Sequence, residues 1–205
     1  MSRPELTGHA SLFYNETEAR KYNSSSRMVN VQREITLRAL ELLNFPDDGG
    51  TQYILDLGCG SGLSGCVLEE QGHVWVGCDV SRDMLQVAKE RMDESFEQND
   101  GKRDGMQDDS DEEEDDEIPS TGDLMHHDMG TGLPFRPATF DACISISALQ
   151  WLCYSNSKNQ IPKRRLTRFF SQLYTVLKKS ARAVLQFYPE TPEQAVLISE
   201  CATAV

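Results

Sequence analysis

The stretch Ile54-Leu55-Asp56-Leu57-Gly58-Cys59-Gly60-Ser61-Gly62 places one carboxylate and three glycines at the end of an apolar run. A turn that presses its backbone against a ligand needs residues without side chains, and glycine alone takes positive φ freely. The spacing is Gly-x-Gly-x-Gly, and Leu63 stands where a dinucleotide fingerprint would carry its third glycine. On its own this pattern is as much turn chemistry as ligand chemistry. Asp79 sharpens it, ending the next apolar run 21 residues after Gly58. A carboxylate there can accept both hydroxyls of a bound ribose. It could instead cap the helix that starts near Arg82, a role for which Ser81 is the better candidate. Asp128 and Met129 follow a third run, where an adenine edge would be met.

Other groups carry weaker signals. Trp151 follows an apolar strand and either stacks on a purine or packs in the core. Lys163, Arg164, Arg165 and Arg168 either hold phosphates or form a solvated helix face. His126 and His127 adjoin the third strand without a second ligand pair for a metal. The six cysteines show no Cys-x-x-Cys pair and read as small apolar residues.

These residues need a frame. Helical periodicity runs from Met28 to Leu43, with Val31, Ile35, Leu37, Leu40, Leu42 and Leu43 as its apolar positions. Then come a strand (YILDL), a glycine turn, a helix over 63–71, a second strand (HVWVGCDVS) and a helix over 82–92. A short strand over 123–127, the strand DACISISAL, a helix over 163–177, the strand RAVLQFY and a helix opened by Pro192 follow. Strands that read as continuous apolar runs and alternate with helices predict an α/β fold with a doubly wound, mostly parallel sheet.

The chain has 205 residues, enough for one ordinary domain, and a net charge of −13. Fourteen acids and two bases fall between Asp93 and Glu117, so that stretch carries −12 and the other 180 residues only −1. The acidity therefore does not exclude nucleic acid as a partner of the rest. Residues 94–120 have too little apolar material to offset the entropy of ordering and are expected to form a disordered insertion. With no apolar run long enough for a membrane span and no signal-peptide core near the start, the expectation is a cytosolic or nuclear protein.

Asp-x-Gly-x-Gly-x-Gly, the acidic end of the second strand, Asp128-Met129 and FDACIS resemble, over about residues 28–190, the class I S-adenosylmethionine-dependent methyltransferases. The resemblance implies a Rossmann-like sheet of order 3-2-1-4-5. It places Asp56, Gly58, Cys59, Gly60 and Gly62 near the methionine part of S-adenosylmethionine and Asp79 with Val80 at the ribose. Asp128 and Met129 would meet the adenine, with Ser145 as the floor beside the sulfonium. LFYNETEARKY, SRMVNVQ, RALELL, DMGTGLPF, ISISALQWLC and RAVLQFYPE narrow it further. These stretches are similar to the eukaryotic 18S rRNA (guanine-N7)-methyltransferases of ribosome biogenesis. That likeness implies a segment 1–27 covering the cofactor, with Tyr14, Tyr22 and Arg27 in the cover, before a methyltransferase domain over 28–205. It also implies 18S rRNA in the pre-small-subunit particle as substrate and a small zinc-binding activator protein as heterodimer partner on the third strand. The expected location is nucleolus, nucleoplasm and cytoplasm.

The stretch Ser145-Ile146-Ser147-Ala148 lacks the Asn/Asp-Pro-Pro-Tyr/Phe of amino-group methyltransferases, and neither Cys143 nor Cys153 suits thiolate attack. Guanine N7 has a free lone pair and no proton to lose, so alignment suffices, with Ser145 and Trp151 as positioning candidates and no catalytic base assigned. Against the family pattern, the acidic insertion is extra, with Ser110 a candidate site for an acid-directed kinase. The last two strands of the class and a basic tail are missing, so the chain is expected to be a truncated form. Two alternatives stand beside the leading reading: a small-molecule carboxyl methyltransferase, which ALQW also resembles, and a non-catalytic assembly factor that keeps the fold.

Overall fold

The computed structural model describes residues 3–46, 49–100, 120–155 and 160–205. The acidic core of the expected insertion, residues 101–119 with Ser110, lies outside the described residues.

Five strands, β1 (Tyr53–Leu57), β2 (Val74–Asp79), β3 (Gly122–His126), β4 (Phe140–Ile146) and β5 (Leu177–Gln186), form one sheet of order β3-β2-β1-β4-β5. Every pairing is parallel, as the alternation of strands and helices predicts. The helices are α1 (Ala10–Phe13), α2 (Glu16–Ser24), α3 (Ser26–Leu43), α4 (Leu63–Glu70), α5 (Arg82–Asp100), α6 (Pro162–Val176) and α7 (Pro192–Thr203). Among the described residues no helix is long and apolar enough to cross a membrane.

The period of two along each strand divides the core into two layers. Leu55 and Leu57 of β1, Val76 and Cys78 of β2 and Cys143 of β4 pack under Phe169 and Leu173 of α6 and Ile198 and Cys201 of α7. Ile54, Trp75, Ala142, Ile144 and Ile146 point the other way, against Ala39 and Leu43 of α3, Leu68 of α4 and Leu85 of α5. The buried face of α3 is Gln32, Thr36, Ala39 and Leu43, at spacings of four, three and four. Val31 and Leu42, counted in the sequence as core positions, are exposed. Two polar residues thus occupy the inner face, because that face borders a cleft as well as the core.

Two boundaries differ from the sequence reading. Helix α5 runs to Asp100, past the Met92 at which the apolar pattern ends and into the range expected to be disordered. A helix already nucleated on a buried face needs only propagation, which Glu and Gln favour. Strand β5 begins at Leu177 rather than Arg182. Its pairing with β4 jumps from Phe140↔Leu177 to Ala142↔Arg182, and Ser180 within the irregularity has φ of 69°.

Trp75 is the largest fully buried side chain, and its indole Nε1 donates to Glu69 Oε1 at 2.9 Å. The ring lies against α4 at Gly65, where an added Cβ would stand 2.1 Å from its Cζ2. Gly65→Ala is therefore expected to lower unfolding free energy by about 1–3 kcal/mol through overpacking, read from urea denaturation. Gly65→Ala combined with Trp75→Phe should recover part of that loss.

Candidate functional site

In a parallel sheet of this order the crevice opens at the carboxyl ends of the strands, where connections leave to opposite faces. A cleft of about 940 Å³, its open mouth included, lies there. Its floor is the β1–α4 turn. Gly58 has φ of 79°, and a Cβ on it would fall 2.2 Å from the Ala148 Cβ, so only glycine fits. The Gly58 and Cys59 amides both donate to the Cys78 carbonyl, at 2.7 and 3.1 Å, which ties the turn to the end of β2. Gly62 caps α4 away from the cleft, at the contact with Ala88 of α5.

Asp79 meets this turn from β2. Its Oδ2 accepts the Gly60 amide at 3.0 Å and its Oδ1 the Ser81 amide at 2.7 Å. Each oxygen keeps lone-pair capacity, and the residue lines the cleft beside Val80. Burial raises the Asp79 pKa above the ordinary carboxylate value, while the N–H groups of Ser81 and Gly60 pull it back. Ser81 caps α5, its hydroxyl accepting the Met84 amide at 3.2 Å, so the carboxylate of Asp79 is not the cap. The Ser61 hydroxyl, also on the cleft wall, is buried with no hydrogen-bond partner among the described residues. An orphaned donor, a carboxylate with free lone pairs and a bare backbone turn together fit a polar nucleoside-like ligand.

Asp128 and Met129 lie on the opposite wall. Arg165 of α6 is buried, and its Nη2 reaches Asp128 Oδ1 at 2.7 Å and Oδ2 at 2.9 Å. Oδ1 also accepts the Gly130 amide at 2.9 Å. Arg165 is thus committed to the cleft wall and leaves the basic run read as a phosphate-holding or solvated face. His126 and His127 point Nε2 at the carbonyls of Val80 and Gly132, at 3.0 and 2.6 Å.

The N-terminal segment forms the roof. Tyr14 and Tyr22 line the cleft, and the Ser81 hydroxyl donates to the Tyr14 carbonyl at 2.7 Å. Burial pushes the Tyr22 phenol up to about 12 and raises that of Tyr14 further. The Trp151 ring lies 5.9 Å from Tyr14 and 6.3 Å from Phe13, centroid to centroid. It lines the cleft from within this aromatic cluster and is buried, so packing accounts for it.

Besides Gly62, three expected site residues stand outside the cavity. Asp56 is fully buried behind the turn, where Ser64 Oγ donates to its Oδ2 and its Oδ1 has no partner. Burial lifts its pKa to about 7, the Ser64 hydroxyl opposing and the nearby Asp79 adding to the shift. Ser145 is buried and donates to the Leu57 carbonyl at 2.7 Å, a strap between β4 and β1 rather than a floor. Arg27 is exposed near the start of α3 and does not line the cleft. Conversely Ser61, Gln32 and Ser147 line it and escaped the sequence reading. A polar residue on the four-three-four face of α3 was the available signal for Gln32. The Cys143 and Cys59 thiols are raised well above their ordinary value by burial, and those of Cys78 and Cys153 to about 12 and 11. None is poised as a nucleophile.

Comparison with known proteins adds to this geometry. The family model described as a methyltransferase domain matches residues 55–185. The mouse 18S rRNA (guanine-N(7))-methyltransferase is 49% identical over 98% of this chain and 62% of its own length. The Saccharomyces cerevisiae 18S rRNA (guanine(1575)-N(7))-methyltransferase is 46% identical over 95% of this chain and 60% of its own. The chain thus spans about three fifths of the length of these curated relatives. Among solved structures, the Synechocystis magnesium protoporphyrin IX methyltransferase with bound SAM superposes with a TM-score of 0.62 at 13% identity, covering 98% of this chain and 86% of that one. The PH0226 protein of Pyrococcus horikoshii gives 0.58 at 22%, covering 89% and 64%. Both likenesses show the shared fold.

Two outcomes follow for the site. Asp56 has a folded pKa above its unfolded value, so its contribution to stability is full below about pH 4 and is lost as pH rises through about 7. Asp56→Asn should therefore grow more stable relative to the parent chain as pH rises across that window, measured by urea unfolding at several pH values. Arg165→Met leaves Asp128 without its counter-charge and should cost up to about 3 kcal/mol, discounted for the partly exposed carboxylate, in the same assay.

Proposed function

Because the chain belongs to the methyltransferase domain family, we propose that it transfers the methyl group of S-adenosylmethionine to N7 of a guanine in 18S rRNA during assembly of the small ribosomal subunit. The observation that carries this reading is the similarity, end to end along 98% of the chain, to a relative whose name states that activity. A merely fold-level likeness would be confined to the sheet and its glycine turn.

When bound, S-adenosylmethionine supplies an electrophilic methyl on a positively charged sulfur. The chain's own residues hold it. Asp79 takes the ribose hydroxyls on its free lone pairs, with Val80 beside it. The backbone of Gly58, Cys59 and Gly60 and the unpartnered Ser61 hydroxyl face the methionine part. Asp128, oriented by Arg165, and Met129 border the adenine. Tyr14 and Tyr22 close the roof and exclude water, and Asp56, Gly62 and Ser145 brace the turn from behind. N7 carries a lone pair and no proton, so the reaction requires orientation of the purine and no general base.

The rRNA would be met within the pre-small-subunit particle, in nucleolus, nucleoplasm and cytoplasm. The reading includes a small zinc-binding activator protein that pairs with β3, which among the described residues hydrogen-bonds to the sheet through β2 alone. Such an edge offers unpaired backbone groups.

The test is chemical-cleavage mapping of 7-methylguanine in 18S RNA from cells depleted of the protein, with rescue by the chain or by its Asp79→Ala form. Loss of the mark on depletion and its return with the parent chain alone is the expected result. A mark that persists through depletion overturns the substrate.

A further inference from the structure

At the mouth of the cleft, where β4 and β5 end, three polar side chains converge on Ser147. This residue has φ of 60°, an uncommon conformation for a side-chain-bearing residue and one that costs energy to hold. The bend points its amide and its hydroxyl at the same acceptor. Ser147 N donates to Gln186 Oε1 at 2.9 Å, and Ser147 Oγ donates to that oxygen, also at 2.9 Å. Ser147 N also donates to the Gln186 backbone carbonyl at 2.9 Å, and with Gln186 Oε1 as its acceptor the single hydroxyl proton of Ser147 is committed there. Tyr188 OH lies 2.9 Å from Ser147 Oγ and must therefore be the donor in that pair. The Gln32 amide nitrogen donates to the same oxygen from α3 at 3.5 Å, the long limit of a hydrogen bond. Gln32 is buried.

Gln32 and Ser147 line the cleft, and the half-exposed Tyr188 meets Ser147 Oγ beside it, so two neutral donors aim at one oxygen at the cleft edge, one of them poorly satisfied. A ligand oxygen placed between them would receive two good hydrogen bonds in place of one good and one weak. Guanine presents two acceptors side by side on its major-groove edge, O6 and N7, whereas adenine presents N7 beside an amino donor. An amino group at this point would face two donors and be repelled.

We propose that Gln32 and Tyr188 take the O6 carbonyl of the acceptor guanine, and so select guanine over adenine and align its N7 with the methyl donor. Ser147 and Gln186 are positioning residues that set the direction of both donors. This rests on the methyl-transfer reading above. No proton leaves the base: N7 gains the methyl with its lone pair, the sulfonium becomes a thioether, and the positive charge passes to the purine.

The experiment uses the full chain and a short synthetic RNA carrying the target as guanine or as 2-aminopurine, which keeps N7 and lacks O6, alongside unmodified small subunits. The expected result is that the parent chain methylates the 2-aminopurine RNA about a hundredfold more slowly, the loss of roughly two neutral hydrogen bonds. Tyr188→Phe, on a half-exposed ring that tolerates the change, and Gln32→Leu should each slow guanine methylation by about tenfold, the loss of one. They should discriminate less between the two bases, while affinity for S-adenosylhomocysteine stays within about twofold. Variants that keep the parent rate, or keep its full discrimination, overturn the inference. A parallel fall in S-adenosylhomocysteine affinity also overturns it and assigns the donors to the cofactor. Absence of guanine methylation by the parent chain on both substrates overturns instead the reading on which it rests.

Discussion

Gly58 and Ala148 touch where the ends of β1 and β4 converge, leaving no space for a Cβ on the first. That close approach bends the chain to φ of 79° and turns two successive amides onto the Cys78 carbonyl. The next available amide, on Gly60, is then directed at Asp79. A single steric constraint therefore fixes the floor of the cleft, its tie to β2 and the direction of its main carboxylate. Side chains that line the cleft elsewhere are arranged around a turn that has no freedom of its own.

The three carboxylates around that turn show how placement separates roles that composition cannot. Asp79 accepts two backbone N–H bonds and faces the cleft, so its charge is partly compensated and remains available. Asp128 has a guanidinium on it and a backbone amide beside it. Asp56 has one hydroxyl and an unpartnered oxygen, fully enclosed. The first two suit contact with a ligand, and the third stiffens the turn at the expense of a proton equilibrium shifted toward neutrality.

Helix alternation and the position of the glycine turn were legible in the sequence because each rests on a local period or on a residue with special backbone freedom, whereas the strand order came from the family resemblance. Asp79, Asp128 and Met129 were legible from their places: the first ends a strand and the other two follow one. Arg165 was misread because the sequence shows a run of four bases, whereas the helix turns one of them inward onto Asp128 and leaves its neighbours outside. Ser145 on β4 and Ser147, one residue past its end, look equivalent in sequence. One straps β1 inside the sheet while the other, past the last ladder pair, reaches the cleft. Gln32 was hidden because apolar residues at 31, 35 and 42 suggested a different inner face for α3. Such distinctions depend on rotation about a helix or position relative to a strand end, which only the packed structure sets.

The roof has one further implication. Arg3 bonds the carbonyls of Tyr188 and Pro189, at 2.5 and 3.2 Å, and Glu5 accepts the Gln150 amide at 3.1 Å. Residues 3 and 5 thus find partners about 185 and 145 positions further along the chain. A nascent chain that has reached Trp151 already holds the aromatic partners of Phe13 and Tyr14, but Arg3 has none until Tyr188 and Pro189 follow, and contacts of such long sequence separation form late and slowly. Synthesis therefore passes through an interval in which the aromatic roof can seat while its leading end stays loose, until translation of the fifth strand supplies the clasp.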